Sequence, residues 1–159
     1  LITLTKGQFA MVDDEDFEYL NQFKWYYHKN RKTGGYARRD ATRCIRLMMH
    51  KVILHTPLQV DHINGDGLDN RRENLRSCSN AENSRNKKKR NATSSRYKGV
   101  HKEIHGTRGI KRWKAAIFVA GYTINLGRFH HEEAAAFAYN VAATKYYGAF
   151  ARLNIIDTI

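Results

Sequence analysis

Cysteine and proline are nearly absent from this chain. The 159 residues include two cysteines, Cys44 and Cys78, and neither belongs to a CxxC pair. A disulfide scaffold and a four-cysteine zinc site are therefore excluded. Both thiols read as reduced, small core residues of an intracellular protein. Pro57 is the single proline. No apolar run approaches the roughly 20 residues that a membrane helix needs, which excludes a helical membrane protein, and no signal peptide is visible. Acidic residues are missing altogether from residues 83–102. A wholly disordered chain is excluded as well. Hydrophobic residues make up 42% of the sequence, with 7 Phe, 9 Tyr and 2 Trp, enough to build packed cores despite a mean hydropathy of −0.68.

What is abundant is positive charge. There are 28 Lys and Arg against 15 Asp and Glu, a formal charge of +13 with histidines neutral. Residues 1–20 run the other way, with Asp13, Asp14, Glu15, Asp16 and Glu18 against Lys6. The stretch without acids carries Arg85, Lys87, Lys88, Lys89, Arg90, Arg96, Lys98 and Lys102. Such a block marks a partner-binding feature or a solvated tail. Well-patterned sequence follows it, which favours a polyphosphate partner, because each Lys or Arg near a phosphate releases condensed counterions.

Along the chain, residues 2–12 read as two short strands about Gly7. Asp13, Asp14 and Asp16 read as the cap and first turn of a short helix rather than as a metal site. Residues 24–47 read as a hairpin turning at Gly34-Gly35, with Met48 to Leu54 a short helix ended near Pro57. Val60-Asp61-His62 ends a strand, Asn64-Gly65-Asp66-Gly67 forms a loop, Asn70 to Leu75 makes a helical turn, and a further helix starts at Ala81. Residues 87–96 read as a basic linker. From Tyr97, three strand-like runs separated by turns precede a helix over Glu132 to Tyr147. In the second run Trp113, Ala115, Ile117 and Val119 alternate with Lys114, Ala116 and Phe118. For Trp113, core packing is the preferred reading. On the helix, Ala135, Ala138, Tyr139, Ala142 and Tyr146 recur at helical spacing.

Three polar residues in the middle segment stand out. His62 follows Asp61 at a strand end, Asn74 follows 12 residues later (62 to 74), and Asn83 a further 9 (74 to 83). With V-D-H-I-N-G at 60–65, N-R-R-E-N-L-R at 70–76 and N-A-E-N at 80–83, residues 50–86 resemble the HNH nuclease family. The resemblance is to its phage and intron-borne branch, in which the last position is often Asn. It implies a ββα-metal fold, His62 as general base, Asn74 as the orienting residue, and Asp61 and Asn83 as ligands of one divalent cation. Asn80 and Asn86 are rival ligands. One carboxylate and one amide suit Mg2+ or Mn2+ more than Zn2+. An imidazole with a pKa of about 6.5 can take a proton from water at working pH. His50 is either a residue that supports His62 or a structural histidine. His28, His55 and the His130-His131 pair read as surface or turn residues. Asp66 and Asp69 imitate part of a calcium loop without its closing Glu.

Y-K-G-V at 97–100, W-K-A-A-I at 113–117, L-G-R-F at 126–129, E-E-A-A-A-F-A-Y-N-V-A-A at 132–143 and G-A-F-A-R-L-N at 148–154 resemble the plant ethylene-response-factor type of DNA-binding domain. That resemblance implies a three-stranded sheet laid into the major groove of DNA and backed by the helix, with Trp113, Ala115, Ile117 and Val119 facing the helix and Lys114, Ala116 and Phe118 facing outward, joined in phase by Lys98, His101, Thr123 and Asn125. His101, Ala116, Phe118, Thr123 and Asn125 stand where that family has arginines and a tryptophan, so the base preference must differ.

The expectation is an α+β protein: a β-rich region (1–48), a nuclease module (49–86), a basic linker (87–96), a three-stranded-sheet domain (97–154) and a tail (155–159). Its expected function is metal-dependent cleavage of double-stranded DNA in a bacterial host cytoplasm, of phage or mobile-element origin, as a monomer or dimer. The expected DNA contacts are Arg85, Lys87, Lys88, Lys89, Arg90, Lys98, His101, Lys114, Phe118, Thr123 and Asn125. Arg38, Arg39, Arg43 and Arg46 either join them or cover a solvated hairpin face. The competing reading is a DNA-binding regulator with a dead nuclease core. An RNA-binding module ranks below both, because the paired surface aromatics of single-strand RNA folds are missing.

Overall fold

A computed structural model describes residues 1–30, 34–89, 94–105 and 110–156, with the side chains of 105, 110 and 111 left aside. The expected DNA contact Arg90 lies outside the described residues. The chain is of the α+β kind, built of small antiparallel sheets, and falls into two compact units, Leu1–Asn86 and Lys87–Ile159. Among the described residues no helix is long and apolar enough to cross a membrane.

In the first unit β1 (Ile2–Thr3) pairs with β2 (Phe9–Ala10), and helix α1 (Asp14–Asn21) follows. Strands β3 (Tyr26–Asn30), β4 (Gly34–Asp40) and β5 (Arg46–Met48) make one antiparallel sheet. Helix α2 (Met49–Leu54) ends where His55 turns left-handed at φ 47°. Strand β6 (Gln59–His62) pairs with β7 (Leu75–Cys78), and helix α3 (Asn80–Asn86) closes the unit. Where the sequence suggested a helical turn from Asn70 to Leu75, the helical residues are Arg72–Asn74 alone, and Leu75 already pairs in β7. Leu75 is apolar and joins the core, so the strand claims it.

That core gathers side chains from 2 to 75, including Ile2, Leu20, Trp25, Met49, Ile53 and Val60. Trp25 is 2% exposed and donates its Nε1–H to the Leu20 carbonyl at 2.8 Å. Leaving that donor unpaired would cost about 1–3 kcal/mol. The cysteine expectation holds for Cys78, which is buried, and fails for Cys44. Cys44 lies exposed in the β4–β5 connection, which is shaped by Thr42 Oγ1 accepting from the Cys44 and Ile45 backbone N–H groups.

In the second unit β8 (Val100–His105), β9 (Ile110–Val119) and β10 (Tyr122–Phe129) form one antiparallel sheet in the order β10-β9-β8. Helix α4 (Glu132–Tyr147) backs it, opening on Glu132 and Glu133 and ending at Gly148. Its buried face is Ala135, Ala136, Tyr139, Ala142 and Ala143, so the face is rotated from the expected one. Ala138 is half-buried and Tyr146 is exposed. Small alanines let the helix axis approach the sheet, and Ala115 and Ile117 meet it from β9.

Gly99 is the tightest point of this packing. Its φ is +75°, and a Cβ there would lie 1.9 Å from the Tyr139 ring and 2.8 Å from the Ala116 carbonyl oxygen. Gly99→Ala is expected to destabilise the protein by about 2–4 kcal/mol through strain and overpacking combined. Chemical denaturation of the full chain measures it, and an unchanged midpoint for the second unit's transition would contradict this reading.

Candidate active site

Strand β6 carries Asp61 and His62 to its end, where Asp61 faces Arg76 and His62 faces Leu75 across the ladder. Both are buried, as is Asn74. The His62 Nε2 stands 3.3 Å from the Asn70 Oδ1. An amide oxygen can only accept, so the proton rides on Nε2 and the lone pair is left on Nδ1. Asn70 is held in turn. Its Nδ2–H donates to the Leu68 carbonyl at 3.2 Å and its N–H to the Met11 carbonyl at 2.8 Å.

The His62 ring meets His50 edge-on at 5.0 Å and Tyr36 at 5.8 Å, while Tyr36 and His50 lie 5.6 Å apart. This aromatic trio comes from β4, α2 and β6. Its loop wall depends on Gly67, where a Cβ would lie 2.2 Å from the Gly35 carbonyl oxygen and 2.6 Å from the Tyr36 ring. Burial pushes the His62 imidazole below its ordinary pKa, opposed by the Asn70 bond and by the charges of Asp61, Asp66 and Asp69. Burial, then His62 and Lys51, push His50 down to about 3. The His50 Nδ1 is buried with no hydrogen-bond partner.

Asp61 sits in a cage. Its Oδ2 accepts from Arg76 Nε at 2.9 Å and from an Arg76 terminal nitrogen at 2.6 Å. The Asn86 Nδ2 lies 3.0 Å from both carboxylate oxygens, 2.9 Å from the His62 carbonyl and 3.3 Å from that of Ile63. Four oxygens around one amide atom require that atom to be the nitrogen. Of the rival ligands, Asn86 is thus a donor to Asp61, and Asn80 is exposed at the start of α3. Asn83 is half-buried and precedes Asn86 by three residues, which puts the two side chains on one face of α3. Ser79 and Glu82 aim this helix by a reciprocal cap. The Ser79 N–H donates to Glu82 Oε2 at 2.8 Å, and the Glu82 N–H to Ser79 Oγ at 3.2 Å.

Asn74 pins the loop between the strands. Its Oδ1 accepts from the Asn64 N–H at 2.9 Å, its Nδ2–H donates to the Asp69 carbonyl at 2.7 Å, and its own carbonyl accepts from Ile63 N–H at 2.9 Å. The loop's acids are consumed inside the protein. Asp69 accepts from Arg71 Nε and from Asn64 Nδ2, both at 2.9 Å, and Asp66 Oδ1 accepts from the Leu68 N–H at 2.9 Å. Arg71 holds the Asp69 carboxyl below its ordinary pKa against the opposing effect of burial.

Among the described residues no cluster of three or more His, Cys, Asp or Glu side chains stands ready to enclose a metal ion. The available donors are hard oxygens: the Asp61 carboxylate, whose Oδ1 faces the Asn86 amide, and the Asn83 amide oxygen. Such a set fits a small divalent cation that keeps most of its water. Spacing pointed to Asp61, His62, Asn74 and Asn83. It missed Asn70, Arg76 and Tyr36, and it offered Asn86 as a rival ligand where the side chain instead donates to Asp61.

In the second unit His101, Phe118, Thr123 and Asn125 are exposed on the sheet, with His101 opposite Lys114 and Thr123 opposite Phe118. Arg112 and Arg128, absent from the sequence expectation, share that face by alternation. Glu103 offsets part of the charge, accepting from Arg128 Nε at 2.5 Å and lying 3.8 Å from the Lys114 Nζ. Lys98 does not join this surface. It precedes β8, is half-buried, and donates its Nζ–H to the Lys87 carbonyl at 2.9 Å. Lys89 likewise turns its Nζ onto the Tyr97 and Val100 carbonyls, whereas Lys87 and Lys88 are exposed. Arg85 lies half-buried on α3 in the first unit.

The HNH endonuclease family model matches residues 55–85. Over 154 residues, 96% of this chain and 78% of the relative, the chain is 32% identical to an uncharacterized HNH endonuclease of Acanthamoeba polyphaga mimivirus. Over 61 residues, 38% of this chain, it is 48% identical to an AP2/ERF and B3 domain-containing protein of Oryza sativa subsp. japonica, of which it spans 15%. No solved structure matches the chain. The chain belongs to the HNH endonuclease family.

The buried neutral His50 makes stability depend on pH. Its folded pKa is depressed, so its contribution is complete above the unfolded value of about 6.5 and is lost as the pH falls toward 3. Unfolding free energy, measured by urea denaturation across that window, is expected to fall by up to about 1.4 kcal/mol per pH unit. His50→Phe keeps a ring in place and should flatten the slope; an identical slope would refute the assignment.

Proposed function

We propose that the protein cuts double-stranded DNA by hydrolysing a phosphodiester bond, with His62 as the general base. The observation that carries this reading is the Nε2 contact to Asn70. It leaves Nδ1 as the basic atom of a neutral, buried imidazole that Asn70, His50 and Tyr36 hold in one orientation. In the step itself, Nδ1 takes one proton from a water molecule and the water oxygen attacks phosphorus. The bond from phosphorus to the leaving sugar oxygen then breaks, and that oxygen must gain a proton from solvent. Asp61 and Asn83 would hold one divalent cation, Mg2+ or Mn2+. When bound, it would supply polarisation of the scissile phosphate and charge stabilisation at the leaving oxygen. Asn74 acts through the loop, fixing the backbone on which His62 sits.

The Lys87–Ile159 unit binds DNA through the outer face of its sheet in this proposal, as an ethylene-response-factor type domain. The outward His101, Arg112, Lys114, Phe118, Thr123, Asn125 and Arg128 support that reading. Arg and Lys can meet guanine edges or phosphates, and the Phe ring and Thr methyl can touch thymine methyls. The likeness of 61 residues to the rice AP2/ERF protein supports the same assignment.

The test is incubation of the protein with supercoiled plasmid and Mg2+ or Mn2+, read as nicked and linear forms on a gel. Cleavage is expected with metal, absent in EDTA, and reduced by about 100-fold to 10,000-fold in His62→Ala, the usual worth of a positioned base. Asn74→Ala and Asn83→Ala are expected to fall below wild type as well. DNA that is bound tightly yet stays intact in every metal, on plasmid and on mixed genomic DNA, would replace this reading with that of an inactive DNA-binding regulator.

A further inference from the structure

The second unit contains a cleft of about 270 Å3 that is not part of the sheet face. Lys88, Lys89, Arg96, Tyr97, Lys98 and Arg152 line it, and its remaining wall is the 153–155 segment. Five of these side chains are cationic, and no acidic side chain lines the space. Acids stand at its margin: Arg96 pairs with Glu133 at 3.1 Å, its backbone N–H donates to Glu132 Oε1 at 2.9 Å, and the Glu132 charge acts on Lys89.

Backbone carbonyls hold two of the lysines. Lys98 Nζ–H donates to the Lys87 carbonyl at 2.9 Å, and Lys89 Nζ–H to the carbonyls of Tyr97 and Val100. Asn154 staples the wall to the start of the sheet, accepting from the Lys98 N–H at 2.6 Å and donating to the Lys98 carbonyl at 3.0 Å. The Tyr97 ring is 3% exposed, and its hydroxyl oxygen is buried without a hydrogen-bond partner. Burial first, and Arg152 second, push the Lys98 ammonium down to about 8. Burial lowers Lys89 as well, against the opposing charge of Glu132. Like charges gathered at the edge of a low-dielectric wall disfavour one another, and an anion among them removes that cost.

We infer that this cleft takes one phosphate group, and that its source is a backbone phosphate of DNA lying off the sheet face. A cleft lined by five lysine and arginine side chains with no acid among them suits a tetrahedral group that carries acceptor oxygens in every direction. The inference rests on the proposal that this unit binds DNA, and it adds Arg96, Tyr97 and Arg152 to the residues that would do so.

Two measurements on the full chain test it. The first is the salt dependence of binding to a mixed-sequence duplex in EDTA, for wild type, Arg152→Gln, Tyr97→Phe and, as a sheet-face comparator, Lys114→Ala. Arg152→Gln is expected to weaken binding about 3-fold to 10-fold alike on different sequences and to lower the salt slope by about 1. Tyr97→Phe keeps the ring packing and is expected to weaken binding less, in the same direction. The second is a titration with inorganic pyrophosphate followed by amide NMR. The backbone signals of Arg96, Lys98 and Arg152 are expected to shift in wild type and not in Arg152→Gln. If Lys114→Ala weakens binding while both cleft variants leave affinity and slope unchanged, the cleft assignment falls and the DNA reading survives. If wild type does not bind duplex, the DNA reading itself falls and takes this inference with it. Pyrophosphate shifts with an unchanged DNA slope would make this a free-phosphate pocket and overturn the backbone source. Should Arg152→Gln fail to fold, Lys88→Ala takes its place beside Tyr97→Phe.

Discussion

A protein that builds a candidate active site around a polar loop must pair every polar group it buries there. Unpaired, each would cost about 1–3 kcal/mol, and a handful would exceed the stability of a small unit. The connection from His62 to Leu75 meets this constraint with side-chain amides and carboxylates. Asn64, Asp66, Asp69, Asn70 and Asn74 bond to one another, to the loop backbone or to a neighbouring strand. The geometry of the imidazole is a by-product of that pairing. Because Asn70 is locked by Leu68 and Met11, the ring that leans on it has one tautomer and one orientation.

The same constraint explains what the acidic N-terminal segment does. Asp13 Oδ2 accepts from the Arg72 N–H at 2.7 Å, Asp16 takes the Arg72 guanidinium at 2.9 and 2.7 Å, and Glu15 reaches it at 2.6 Å. Met11 bridges Asp69 alongside. Isolated surface ion pairs contribute little. Here several acids converge on the arginine that opens the helical turn carrying Asn74, so their effect is positional. Residues 11–16 therefore buttress the nuclease loop. The early acids and the late arginine form one support for a strand pair that is otherwise only four residues long on each side.

Much of this was legible in the sequence. Asp61, His62, Asn74 and Asn83 stood out by residue type and spacing, and the alternation in β9 sorted Ala115 and Ile117 from Phe118. What was not legible around the candidate site shares one cause: the partner lies far away along the chain. Asp13 and Asp16 obey the local grammar of a helix start, and nothing near them points to Arg72. Asn80, Asn83 and Asn86 look alike in sequence, and only the direction in which Ser79 and Glu82 launch α3 decides which one reaches Asp61. Lys98 fits the outward phase of the sheet, but it precedes the first strand, so the alternation does not govern it. Cys44 sits in a turn whose exposure depends on Thr42 and not on any apolar pattern.

The cage around Asp61 closes with Asn86, the final residue of α3, and the props on Arg72 reach back to residue 13. A ribosome making this chain thus completes the site only after the last of these parts has left the exit tunnel. Contacts across such sequence distances form late in folding, because the closure entropy of a long loop must be met first. Nascent and truncated chains would carry His62 without the framework that orients its ring. Assembly of the site is therefore deferred until synthesis of the whole first unit is over.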